Sequence, residues 1–201
     1  MLRHLCNPRL AATYVVAFCV LFSMMGTFTY INFYLAAPPF SLSTTALGLL
    51  FVVYLVGAAV TPTAGRAIDR FGHRFALVAA FTGAAAGVCL TLVHSLPVVM
   101  AGLTLTCTGT FIANAAGSSY VGAAATESRA SAIGLYVTFY YLGCSAGSAI
   151  PGFFWARGGW PACVGLIVAV QLVTILLALI FWQPLPKAVG VPTLTAAIEE
   201  G

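Results

Sequence analysis

The chain has 201 residues, of which 61% are hydrophobic and only 6% charged, and its formal net charge is +4. A soluble domain of this length carries about a quarter charged residues. Charges this sparse cannot cover a solvated surface, so most of the chain must have lipid as its solvent.

A helix needs about 20 apolar residues to cross the hydrocarbon core. Six stretches qualify, at 12–36, 44–64, 75–93, 97–120, 131–155 and 161–182. Each is continuously apolar and lacks a period of two, which predicts helices and excludes a barrel. Arg3 and Arg9 precede the first stretch as in a signal peptide, but the stretch is too long and holds Tyr14, Tyr30 and Asn32. It is therefore expected to be a retained helix. Short Gly/Pro or polar links such as Ala37-Pro38-Pro39-Phe40-Ser41 separate the spans. Beyond Pro184, with Pro186 and Pro192, a disordered cytoplasmic end is expected. The chain thus divides into a membrane unit, 1–183, and a tail, 184–201.

Between the second and third spans, residues 65–74 read Gly-Arg-Ala-Ile-Asp-Arg-Phe-Gly-His-Arg and hold three of the eight Lys/Arg residues. With six spans both termini share a face with this loop. That face holds Arg3, Arg9, Arg66, Arg70, Arg74, Arg129 and Lys187, and the other holds only Arg157. The positive-inside rule then puts both termini in the cytoplasm. It also accounts for the net charge, so no nucleic-acid partner is implied.

An internal repeat links the two halves of the chain. Ala46-Leu47-Gly48-Leu49 opens the second span and Ala132-Ile133-Gly134-Leu135 opens the fifth, 86 positions later. Each is followed by aromatic residues and a further glycine, Gly57 or Gly143. Three crossings separate the copies, so they face opposite ways: an all-α membrane fold of two inverted three-helix units, a device of secondary transporters.

No Asp, Glu, Lys or Arg lies deep in a span, where each would cost about 2.5 kcal/mol or more. Polar groups gather on the first, second, fourth and fifth spans. Tyr30 and Tyr34 share a helix face, as do Asn114 and Ser118, and Tyr140 lies on the fifth span. These five are the candidate substrate contacts. Singly, each is read more simply as an interhelical hydrogen bond; together they suit a cavity. Six cysteines without a CxxC pair read as small buried thiols, and neither a metal nor a cofactor is expected. Gly143-Cys144-Ser145-Ala146-Gly147 spells a hydrolase pattern, but it lies inside an apolar helix without a facing His. No enzyme is predicted. A channel would show a filter loop or rings of charge, and neither is present.

The segment Gly65-x-x-x-Asp69-Arg70-x-Gly72-x-Arg74 resembles the signature loop of the major facilitator superfamily, with His73 where a second base is common. Glu127-Ser128-Arg129, Gly134-Leu135-Tyr136 through Gly143, and Gly158-Gly159-Trp160-Pro161 resemble the second half of bacterial twelve-helix efflux-type members. The resemblance implies transport of a small organic solute across the inner membrane by alternating access. Gly65, Asp69, Arg70, Gly72 and Arg74 would form its cytoplasmic gate. It implies that the first, second, fourth and fifth spans line the cavity. It covers six helices of twelve, so its expected partners are the lipid bilayer, the solute and a second six-helix half, as a homodimer or separate chain. The alternative is a transport-incompetent fragment or accessory subunit.

Overall fold

The computed structural model describes residues 7–50, 52–125 and 128–182. The predicted tail, Arg3, Lys187 and Glu127 lie outside them. Among the described residues seven helices follow one another: α1 (Pro8–Ala36), α2 (Thr44–Leu49), α3 (Val52–Phe71), α4 (His73–Leu90), α5 (Leu96–Ala124), α6 (Arg129–Ala149) and α7 (Pro151–Phe181). No strand occurs among the described residues. In hydrocarbon a backbone must satisfy its own hydrogen bonds, and the helix does so locally. The polar side chains follow the same logic. Thr27, Thr104, Thr110, Thr138 and Thr174 each donate to the carbonyl four residues back.

Among the described residues five segments are long and apolar enough to cross a membrane: Pro8–Ala36, Thr44–Pro62, His73–Leu90, Leu96–Ala124 and Pro151–Phe181. Among the six predicted spans the fifth falls short by apolarity, because α6 carries Thr138, three tyrosines, Ser145 and Ser148. It nevertheless runs along α1. A Cβ at Gly143 would strike the backbone carbonyl of Phe18, and one at Gly147 would meet that of Phe22, so only glycine lets the two backbones touch.

Three predicted boundaries shift. The second span is split between α2 and α3. The predicted loop at 65–74 is helical through Phe71, so Gly65 lies within α3 and the reversal into α4 is made by Gly72 alone (φ 86°, ψ 156°). Nothing between Ala64 and Phe71 obliges a helix to stop. The fifth span ends at Ala149, where Pro151, lacking an N–H, interrupts the ladder. Helix resumes over 151–158 before Gly159 (φ 60°, ψ −150°) breaks α7 and starts the sixth crossing.

The packing repeats with inversion. The α1 helix packs on α6 and α7, while α5 packs on α3 and α4; the pairs α1–α5 and α4–α7 close the bundle. Exchanging α1 with α5, α3 with α6 and α4 with α7 maps this pattern onto itself. Both α1 and α5 have 29 residues. The protein is an all-α membrane fold of two inverted three-helix units.

Tryptophans fasten both ends of the bundle. At one end Trp182 Nε1 donates to Thr13 Oγ1 (3.1 Å), and its ring stacks on Tyr120 at 4.3 Å. At the other, Trp160 Nε1 donates to Thr91 Oγ1 (2.9 Å). Of the five described cysteines, Cys89 is exposed, against the expectation of buried thiols: it lies on the outward face of α4.

Candidate functional site

The predicted gate residues lie at the end of the bundle that holds Thr13 and Trp182. Asp69, Arg70 and Arg74 are exposed there, with Asp69 and Arg70 in the last turn of α3 and Arg74 in the first of α4. The Arg70 guanidinium lies 5.2 Å from the centre of the Phe71 ring, which in turn lies 5.5 Å from Phe75. Arg129 lies at this end too, against Gly122, so it shares an end with Arg70 and Arg74.

His73, which the sequence marked only as a departure from a pattern, connects this segment to the bundle. Its Nε2 lies 3.0 Å from Ser119 Oγ, and its ring meets Tyr120 edge-on at 5.8 Å. Through Tyr120 and Trp182 the segment is thus joined to α5, α7 and α1. A fourfold helix spacing from Ser119 or Tyr120 would not have revealed it, since the contact spans 46 residues.

A second segment of the same pattern lies at the opposite end. Gly65, Arg70 and Gly72 recur 87 positions later as Gly152, Arg157 and Gly159. Gly72 and Gly159 both occupy the extended positive-φ region that only glycine adopts readily. The counterpart of Asp69 is Ala156. Arg157 donates to the Phe153 carbonyl (3.1 Å) and borders a shallow cavity of about 510 Å³, lined also by Ala149, Gly152, Phe153 and Ala156.

The five candidate substrate contacts divide into two groups. Tyr30 and Tyr34 serve the far end. The Tyr30 hydroxyl donates to the Ser148 carbonyl (2.9 Å), and its ring lies 6.2 Å from Trp155. Tyr34 stacks on Trp160 at 5.9 Å and meets Phe40 edge-on. Asn114, Ser118 and Tyr140 instead share one wall. Tyr136 donates to Asn114 Oδ1 (3.1 Å) and stacks with Tyr140 at 6.3 Å. Ser118 is exposed one turn along from Asn114 and donates to the Ala115 carbonyl.

The five candidate contacts leave out the aromatic part of this wall, although Tyr54 is a polar group of the second span in the sequence. Tyr54 of α3 lies between Phe28 of α1 (4.5 Å) and Phe111 of α5 (6.4 Å). Tyr140 packs against all three hydrophobic clusters of the bundle. The wall therefore draws on α1, α3, α5 and α6.

The helix faces left uncovered differ in chemistry. Along α5 and α6 the exposed or half-buried positions include Asn114, Ser118, Thr138, Tyr140, Tyr141 and Ser145. Along 161–180 of α7 every exposed residue is apolar, including Leu172, Val173, Leu176 and Ile180. The second face matches acyl chains. The first mixes these polar groups with apolar ones such as Ile133, Val137 and Leu142; Ser118, Thr138 and Ser145 turn their hydroxyls to their own backbone.

The family model for the Major Facilitator Superfamily matches residues 13–198, and the chain belongs to that family of membrane transporters. Relatives include an uncharacterized MFS-type transporter, YybF, of Bacillus subtilis, 33% identical over 89% of this chain and 44% of its own length. The inner membrane transport protein YnfM of Escherichia coli is 33% identical over 87% of this chain and 42% of its own. An uncharacterized transporter of Buchnera aphidicola is 31% identical over 88% and 43%, respectively. The chain therefore spans less than half the length of these relatives. It is a multi-pass membrane protein with half of the family's fold.

Proposed function

We propose that this chain is one half of a secondary transporter that moves a small organic solute, in the efflux direction, by alternating access. A second six-helix half completes the cavity. The observation that carries this reading is the contrast between the uncovered faces of α5 and α6, which include Asn114, Ser118, Tyr140 and Tyr141, and the 161–180 stretch of α7, whose exposed residues are all apolar. The exposed hydroxyls of Ser118, Thr138 and Ser145 already donate to their own backbone, so the contrast rests on Asn114, Tyr140 and Tyr141, larger polar side chains that suit a wet cavity or a partner.

Asn114, Ser118 and Tyr140 contact the solute in this reading, with Tyr30 and Tyr34 shaping the far end of the path. Asp69, Arg70 and Arg74, on the turn that Gly72 makes and with Gly65 in the preceding helix, form the cytoplasmic gate of an inner-membrane protein whose termini are both cytoplasmic. A carboxylate among cations can exchange partners between the two halves as they rock, and such exchange switches between closed and open states.

Asp69→Asn in the complete transporter tests the gate. Flux into membrane vesicles should fall about tenfold with the amount of protein in the membrane unchanged, the size expected for losing one charge-assisted hydrogen bond. Unaltered flux would remove Asp69 from the gate. Asn114→Ala should act differently, raising KM more than it lowers kcat.

The shortness of the chain relative to its relatives supports a second reading, a transport-incompetent fragment or accessory subunit. The mass of the native assembly and vesicle flux separate the two. A lone six-helix species without flux favours the second.

A further inference from the structure

We propose that Ser23 and Gln171 hold ordered water in the middle of the membrane, at the seam between α1 and α7. Both residues are fully buried, at 0% exposure. The Ser23 hydroxyl and both amide atoms of Gln171 have no hydrogen-bond partner in the protein. The buried threonines of these helices satisfy themselves by donating to their own backbone, as Thr27 and Thr174 do. Gln171 and Ser23 do not.

Three contacts fix the register of the seam. Thr13 accepts from Trp182, Cys19 lies beside Thr174, and Gly26 lies against Ile167. The helices are antiparallel, so each step forward on α1 is a step backward on α7. Ser23 lies four residues after Cys19 and three before Gly26, on the same helix face. Gln171 lies three before Thr174 and four after Ile167, again on the same face. The two therefore meet in one layer, close to the midpoint of the 29 residues of α1.

The donor set selects the ligand. An amide supplies a carbonyl acceptor and an NH₂ donor, and a hydroxyl supplies both roles. Water needs two to four such partners, and a buried polar group left without one costs enough that native interiors recruit water to it. A metal cation would need more oxygens than the amide and hydroxyl provide, and the amide NH₂ would repel it. The site is independent of the transport reading and of any second half.

Hydroxyl-radical footprinting by a brief X-ray pulse, on the purified chain in detergent, reads such water directly. Radicals form from the bound water itself and modify the nearest reactive side chains, here Cys19 and Met24. Both should be oxidised although they are only 6% and 7% exposed. Cys107, 0% exposed, is the internal reference. Gln171→Leu should lower the Cys19 rate by about threefold or more relative to Cys107, and Ser23→Ala should lower it less. Ser23→Ala removes a single oxygen and guards against a folding defect in the larger change. A Cys19 rate equal to that of Cys107 in the unaltered chain would overturn the proposal, as would a rate that neither substitution changes. Rates that depend on Na⁺ when it replaces choline would reassign the site to a cation.

Discussion

The segments around Gly72 and Gly159 are built on one pattern and placed at opposite ends of the bundle, yet they carry different chemistry. Both have a glycine at the start, an arginine in the last helical turn and a positive-φ glycine making the reversal. The first adds Asp69, Arg66, His73 and Arg74; the second replaces the carboxylate by Ala156 and surrounds its one arginine with Phe153, Phe154 and Trp155. The shared part is what a one-residue reversal between antiparallel helices demands of the backbone. The differing part is what each membrane face and each role adds. The attachments differ likewise: His73 reaches Ser119 and Tyr120 at one end, and Tyr30 reaches the Ser148 carbonyl at the other.

The comparison can be broken most severely through α6, the helix that leads into the second segment. Gly143→Val would drive a side chain into the Phe18 carbonyl and part α6 from α1. Thermal unfolding in detergent should register a loss of about 3 kcal/mol, or no folded protein at all. Gly134→Val, where nothing lies within 4 Å, is the matched control and should leave the melting temperature nearly unchanged.

Next in size are Gly72→Ala and Gly159→Ala. Each places a Cβ in the same glycine-only backbone region, so each should destabilise by about 1–3 kcal/mol. Equal losses in parallel melts support the equivalence of the two reversals. A large loss at one and none at the other would mean that only one segment is under conformational strain.

The attachments should give smaller effects. Tyr30→Phe removes the hydroxyl that donates to Ser148 and should cost about 1 kcal/mol, with the far end exchanging amide hydrogens faster. Ser119→Ala removes the His73 contact from an exposed site and should cost less, about 0.5 kcal/mol. If Ser119→Ala proved the more damaging, His73 would be the stronger fastening despite its exposure.

Much of the architecture was legible because lipid is a demanding solvent. Runs of about 20 apolar residues can only be helices there, and the bias of Arg residues placed Arg70, Arg74 and Arg129 on one face. The repeat of Ala46/Gly48 in Ala132/Gly134 disclosed the inverted units before any contact was known. Tyr140 and Asn114 were identifiable as polar groups on the fifth and fourth spans. Their joining by Tyr136 was not, since periodicity places residues on a face without saying what that face meets.

By itself, the sequence determined the all-helical class, the inverted repeat and the charged segment at residues 65–74, because these follow from local composition and from a backbone obliged to bond within itself. Only the tertiary structure decided that Gly65 lies within a helix, that Pro151 and Gly159 divide the fifth crossing from the sixth, and that Tyr30 fastens an end while Tyr140 faces the wall. It alone brought His73 to Tyr120 and Ser23 to the level of Gln171. These outcomes depend on which helix packs on which and in what register. That register is set by close backbone approaches such as Gly143 on Phe18, which no single segment contains.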